Sequence, residues 1–468
     1  MSPRFERRRK QLLADAQVRP QVYQGMLARR PEFLEPYLER LGRRAQKEHL
    51  REYVQGLLSD AKRQNVATIA YLHDQERNEL QRFIGESQGA CQPMLDELTC
   101  QVGRALGEVD GGIVFDPSGF EKDGRKSVGV QRQWLGRLGK VDNGQVGVYL
   151  GYASREGHAL CDLRLYLPKE WANDRARRRE GGVPKEVRFQ TKPALAQALL
   201  LERGSVLPHQ GIAGDDEMGR STRFRLWLRE HSERYLLAVP SHTSRRAWEA
   251  AAPVWSGHGA NPKVPWTSVS HWLEKVPEAV WQRIEVRAGA KGPLSVEAVK
   301  CRVQAREAQR HVGPEELLFV TRVKETSGWK SAYYLSNASA QTPLEELARV
   351  AQAEHRIEEC FKSAKRAAGL GDYEVRTWIG WHPHQTISIR ASWFLTVELR
   401  RGKKWTPAIP VSQIHDWVAL LLREALTQKN PYWQRHPNQR RALRKEAAYA
   451  DHHIARNLLP PLRKEQRK

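Results

Sequence analysis

The sequence has no apolar run long enough to span a bilayer and no leader pattern at its start, so it reads as a soluble, intracellular chain. Its five cysteines, Cys91, Cys100, Cys161, Cys301 and Cys360, are odd in number and form no CxxC pair, which indicates neither a disulfide framework nor a zinc site. The Gly-rich run GVQRQWLGRLGKVDNG lacks GK[ST] and does not open a helix after a strand, so it is no nucleotide-phosphate loop and supports no ATP requirement. Acidic residues are in deficit: 54 Asp and Glu stand against 77 Lys and Arg, a net charge of +23. Solubility does not need so large a charge, which calls for a polyanion; nucleic acid, anionic membrane and ribosome all fit the sign alone. Basic residues concentrate in RFERRRK near the start and in NQRRALRKE and PPLRKEQRK near the end, which read as arms able to lie along phosphates.

The acids that are present fall at particular places. In TPLEELARVAQAEHRIEECFKSAKRAAGLG, Thr342 serves as N-cap, Pro343 takes the first helical position and Glu345 completes a capping box, which starts a helix that Gly369 stops. At 100° per residue Val350, Ile357, Phe361, Ala364 and Ala368 form one apolar stripe, with Glu358, Lys362 and Lys365 on its flank. An acid at the edge of a buried face, followed by lysines one and two turns on, suits metal binding beside phosphate binding. GGIVFDPSGF reads as a strand delivering Asp116 into a turn, and LPHQGIAGDDEMGRS does the same with Asp215 and Asp216. One Asp in a turn is commonly a hydrogen-bonding turn residue, and one Glu–Lys pair commonly a solvated pair. Three acids in the order strand, strand, helix shift that balance. They would repel one another, and a pair of hard divalent cations, Mg²⁺ or Mn²⁺, is the economical way to hold them together.

The segments that carry these acids resemble the cut-and-paste insertion-sequence transposases of the DDE class. The resemblance lies in DPSGFEKDGRKSVGVQRQWLGRLGKVDNGQVGVYL, LYLPKEWANDRARRREGGVP, AGDDEMG and HRIEECFKSAKRAAGLGDYEVRTWIGWH. It implies an α/β ribonuclease H-like core, a mixed sheet with flanking helices, carrying a β-rich insertion subdomain and an all-helical N-terminal domain. It places the catalytic, metal-holding triad on Asp116, Asp215 and Glu358, with Lys365 seven positions after the Glu. The implied activity is metal-dependent cleavage of double-stranded DNA at the terminal inverted repeats, with two ions per site, then joining of the freed 3′-hydroxyl to target DNA. The implied assembly is a homodimer on paired ends, in the bacterial cytoplasm on the nucleoid. Lys365, Lys362 and Arg356 are the residues expected to position DNA backbone, with Arg132 and Lys140 of the Gly-rich run facing DNA or the active site.

The chain departs from the family pattern in places. Ala351 and Glu354 stand where a Tyr and an Arg often precede the Glu, and Arg356 is the stand-in for that Arg. Pro117 follows the first Asp in place of a second acid, Gly89, Ala90 and Cys91 replace a Trp-Asp pair, and Pro383 sits between two histidines. Asp216 and Asp162 compete for the assigned acid roles. The alternative reading is a domesticated, catalytically weak or inactive transposase-derived DNA-binding protein.

Along the chain, residues 1–105 are helical by pattern and expected to contact DNA. Residues 106–242 and 343–400 form the core, with strands around Asp116, QVGVYLGYAS, HALCDLRLYLP, the Asp215 strand and RYLLAVPS in that order. Residues 243–342, with six tryptophans and a hairpin in ELLFVTRVKETSGWKSAYYLS, form the insertion, and the tryptophans are expected mostly in its core. Residues 401–468 form a basic helical C-terminal region.

Overall fold

A computed structural model describes residues 25–73, 77–86, 88–251, 254, 258, 263–289, 292–307, 311–403 and 409–429. The basic arms at both ends and Trp255 lie outside the described residues. The chain opens with helices α1 (Met26–Leu38), α2 (Arg44–Leu57), α3 (Val66–Leu72), α4 (Arg77–Glu86) and α5 (Gln88–Leu106). An α/β stretch follows: β1 (Gly112–Glu121), β2 (Gln131–Leu135), β3 (Lys140–Ala153), β4 (His158–Leu165), α6 (Lys169–Asn173), α7 (Arg175–Glu180), α8 (Lys192–Arg203), β5 (Gly211–Gly214), α9 (Asp216–Gly219), α10 (Thr222–Glu230) and β6 (Tyr235–Ala238). Then come β7 (Ser244–Ala247), β8 (Thr267–Ser268), α11 (Val269–Leu273), β9 (Gln282–Gly289), β10 (Gly292–Glu307), β11 (His311–Glu325) and β12 (Gly328–Ser336). Three helices close it: α12 (Leu344–Ala367), α13 (Trp378–Lys403) and α14 (Val411–Lys429).

The contacts divide the chain into two compact units. The first comprises residues 1–89, 363–374 and 387–468. Here Phe33 of α1 meets Phe394 of α13 edge to face, 5.1 Å between centroids, and Arg29 ion-pairs with Glu398. Asn65 caps α3 through the Thr68 amide, and its Nδ2 donates to Glu374 Oε1 at 2.7 Å. Residues 387–403 thus pack with the N-terminal helices.

The second unit comprises residues 90–362 and 375–386 and contains the sheet. Its strands run β2-β3-β1-β5-β6-β12-β11-β10-β7-β8, with β4 paired to β3 and β9 to β10. β1, β5 and β6 are parallel, whereas β3 is antiparallel to β1 and to β4, so the sheet is mixed. The central strands are apolar in continuous runs, Ile113-Val114-Phe115 and Ile212-Ala213, because helices cover both faces. All five core strands expected from the sequence form, in the expected order. The Gly-rich run builds β2 and the start of β3, paired from Gln131↔Gly144 to Leu135↔Lys140.

The insertion strands join the same sheet, since β12 pairs antiparallel with β6 through Tyr334↔Ala238. The expected hairpin is β11–β12, closing at Glu325↔Gly328. Its tryptophans do not fill the core, although Trp272 and Trp281 pack against its edge. Trp248 and Trp329 are exposed, and Trp266, Trp272 and Trp281 are half-buried. Arg246 and Arg306 lie over Trp266 at 4.9 and 4.5 Å, and Arg322 lies over Trp281 and Trp329 at 4.0 and 4.1 Å. Aliphatic residues such as Val299, Val303, Leu318 and Val320 fill the interior instead. The reason is geometric: an indole half-covered by a guanidinium keeps its ring out of water without filling space between packed faces.

Asp162, a competitor for an acid role, is structural. It is fully buried on β4, where its carboxylate accepts Arg203 Nε at 2.5 Å and Arg164 Nη1 at 2.8 Å. Removing one partner of a buried ion pair leaves the other charge uncompensated. Asp162→Ala is therefore expected to lower unfolding stability by about 3–5 kcal/mol in urea titration; a loss under about 1 kcal/mol would mean that Arg203 finds another partner.

Candidate active site

Two strands and one helix bring the acids together. The parallel pairing of β1 with β5 runs from Gly112↔Gly211 to Phe115↔Gly214. Asp116 and Asp215 are the next residue on each strand, so one ladder sets them side by side. Asp116 continues in register with Tyr149 of β3, whereas β5 ends and the chain turns into α9. Asp215 caps that short helix, its carboxylate accepting the Met218 amide at 3.2 Å. Gly219 at the helix end has no room for a side chain, because a Cβ there would sit 1.8 Å from the Ala238 carbonyl oxygen.

Helix α12 supplies the third position. Its expected stripe is buried: Ile357, Phe361, Ala364 and Ala368 are inaccessible or nearly so, and Val350 is half-buried. Ile357 rests on Gly151 of β3, where an added Cβ would come within 2.5 Å of it. That contact fixes the rotation of the helix. With Ile357 facing the sheet, Glu354 lies about 60° to one side and Glu358 about 100° to the same side, while Arg356 lies about 100° to the other. Glu354 is consequently the carboxyl nearer the sheet and Glu358 the one facing out.

The electrostatics follow this geometry. Burial pushes the Glu354 carboxyl well above the usual carboxylate range, and Asp116, Asp215, Glu358 and Asp216 push it further. Asp215 is pushed up to about 7, by burial first and then by Glu217 and Asp216, with the Met218 amide and Lys192 working against the shift. Glu358 is 63% exposed, with His355 Nδ1 at 3.3 Å. Tyr334 of β12 faces the same acids: burial raises its hydroxyl pKa, and Glu354 and Glu358 raise it further. Asp216, the other competitor, is exposed and pairs with Arg220 at 2.6 Å.

The remaining expected residues are dispersed. Lys362 is exposed one turn beyond Glu358. Lys365 lies past the point where α12 enters the first unit. Arg356 donates to the Ser154 carbonyl on the flank away from the acids. Arg132 is exposed on β2 with Nη2 3.4 Å from the Val141 carbonyl, and Lys140 pairs with Asp142 at 2.7 Å. The sequence reading took Glu354 only as a departure; the signal for it was its i,i+4 spacing from Glu358.

Among the described residues no three Asp, Glu, His or Cys side chains are close enough to make a finished metal cage. The donors gathered here are nevertheless all carboxylate oxygens, partly buried and repelling one another, and such a set fits a hard divalent cation.

A family model described as DDE superfamily endonuclease matches residues 36–293, more than half of the chain and a span that includes Asp116 and Asp215. The chain belongs to the DDE superfamily endonucleases. A probable transposase for insertion sequence element IS701 from Microchaete diplosiphon is 28% identical over 193 residues, 40% of this chain and 47% of that protein. The chain thus spans less than half the length of that relative. The transposase resemblance read from the sequence is borne out by these matches. Over 89% of this chain and 78% of the other, the structure aligns with a piggyBac transposase synaptic complex with hairpin DNA, at a TM-score of 0.40 and 9% identity.

For this DDE endonuclease the raised Asp215 pKa has a stability consequence. The folded value, about 7, lies above the ordinary one, so Asp215 favours folding while protonated, and that contribution is lost as pH rises toward and through 7. Asparagine keeps the cap without the charge. In chelator, Asp215→Asn should melt above wild type at pH 8, by roughly 2–4 kcal/mol of stability, with the gap closing toward pH 4. Equal melting temperatures at both pH values would contradict the buried charge.

Proposed function

We propose that the chain is a DNA transposase that cuts phosphodiesters at the ends of its own mobile element and joins the freed 3′ ends to target DNA. The observation that carries this reading is the placement of Asp116 and Asp215 on neighbouring parallel strands, with the α12 acids beside them, in a DDE superfamily endonuclease. The order β4-β3-β1-β5-β6, with the first three antiparallel and the last three parallel, supports a ribonuclease H-like core within residues 106–242 and 343–400.

Asp116, Asp215 and Glu358 would hold divalent metal, Mg²⁺ or Mn²⁺ and two ions per site. Bound there, the metal would supply an activated water and stabilisation of the leaving 3′ oxygen. The chain's own residues do the rest. Asp116 and Asp215 are fixed by the strand ladder and by the Met218 amide, so they need no rearrangement to face the scissile bond. Glu358, exposed, meets the substrate side. Glu354, behind it and buried, has its carboxyl pKa raised by burial and by Asp116 and Asp215, which favours its protonated form while no cation is present. Lys362 lies where it can meet a phosphate of the bound strand. The partner is double-stranded DNA, as terminal inverted repeats and target, engaged by a homodimer.

The test is Mg²⁺-dependent cleavage of a fragment carrying the element's end. Outer-shell partners of a metal site typically cost 10–100-fold when lost, so Asp116→Asn, Asp215→Asn and Glu358→Gln should each reduce cleavage by more than about 100-fold while leaving end binding intact. Cleavage that survives Glu358→Gln and disappears in Glu354→Gln would move the third role to Glu354. Tight end binding without any cleavage by wild type would make the chain a transposase-derived DNA-binding protein.

A further inference from the structure

Between β4 and α8 the chain takes a long excursion, residues 166–191, that neither the acids nor the expected DNA-binding residues use. It is held rigidly. Trp171 is buried and donates its indole N–H to the Val130 carbonyl at 2.8 Å. Asp174 caps α7 by accepting the Ala176 and Arg177 amides at 2.9 and 3.0 Å. Arg177 stacks over Trp171 at 3.9 Å, and Arg178 donates to the Pro184 and Val187 carbonyls at 2.8 and 2.9 Å. Two arginines of the RARRRE segment are therefore spent on building the strap.

The other cations are not. Lys169, Arg175, Arg179 and Lys185 are exposed, and among the described residues none has a carboxylate partner. At its far end the strap runs into Lys192, whose Nζ lies 2.6 Å from Glu217, two residues past Asp215. Exposed cations without an ion-pair partner thus stand along a segment that ends at Lys192, beside the acid site. Its one exposed large apolar side chain, Phe189, is turned edge-on to Tyr166 at 6.5 Å, so the strap has no apolar face to enter a membrane.

We propose that the strap over residues 169–192 is a docking surface for the phosphodiester backbone of duplex DNA, carrying the strand toward Asp215. The inference rests on the transposase reading, and it adds the surface that would deliver the substrate. Pre-fixed cations bind phosphate without ordering a loop first, which lowers the entropic cost of association.

The test measures binding of the full chain to a labelled random-sequence duplex as a function of salt. Each phosphate contact contributes about 0.9 to the slope of log K against log salt. Arg175→Gln/Arg179→Gln/Lys185→Gln should lower the slope by about 2 to 3 units with an unchanged circular-dichroism melt. The control Arg223→Gln/Arg234→Gln/Arg283→Gln, at exposed positions off the strap, should leave the slope nearly as in wild type. An unchanged slope in the strap variant, or an equal fall in both variants, would overturn the strap as a docking surface while leaving the nuclease reading intact. Absence of duplex binding by wild type would instead overturn the transposase reading itself.

Discussion

The second unit is organised around a repulsion. Asp116, Asp215, Glu354 and Glu358 are brought to one place, with Asp216 and Glu217 nearby, and burial together with their mutual repulsion raises the pKa of Asp215 and Glu354. Such an arrangement stands only if the surrounding packing is stiff. β1 and β5 provide the stiffness through Ile113, Val114, Phe115 and Ile212, all fully buried, and the same ladder fixes the spacing of the two aspartates. Close-packed interiors resist the adjustments that would let the charges move apart. The raised pKa values of Glu354 and Asp215 are the response left to the protein when no cation is bound.

The contrast with Asp162 shows what this arrangement is not. Asp162 is as deeply buried as any acid among the described residues, yet Arg203 and Arg164 meet both its oxygens, and Arg225 and the Tyr235 hydroxyl meet one oxygen of Glu316 in the β11 region. Buried acids built for stability are paired. Asp215 instead has the Met218 amide and the nearby Lys192, which itself binds Glu217, and its pKa is pushed up to about 7. That difference in compensation separates a site from a structural ion pair more clearly than burial does.

The same economy governs the basic surface. Many of the described arginines are tied into the fold: over Trp266, Trp281 and Trp329 in the insertion, onto carbonyls within the strap, and, from Arg356 of α12, onto the Ser154 carbonyl. A net charge of +23 therefore overstates the charge free to meet a polyanion. What is free is local, and position matters more than the total. The insertion strands extend the core sheet through β12 and β6, so the Arg–Trp stacks are carried on the same framework as the acids.

The sequence by itself determined the core strands and their order, the helix from Leu344 with its stop at Gly369, the β11–β12 hairpin and the family. These follow from short-range rules: an apolar run ending in a turn, a cap, a glycine at φ +62°. It also singled out Asp116 and Asp215, but only Asp215 follows the end of its strand; the turn expected after Asp116 does not form, because Pro117 to Glu121 stay paired with β3. The tertiary structure alone decided three things. Glu354 rather than Glu358 is turned toward the sheet, since two acids four residues apart share one helix flank and only the seating of Ile357 on Gly151 sets the helix rotation. The tryptophans of the insertion stack under arginines, which depends on cross-strand neighbours far apart in the chain. Asp162 and Arg356 became structural because Arg203 and Ser154 reach them over 41 and 202 residues, distances at which no local pattern carries information.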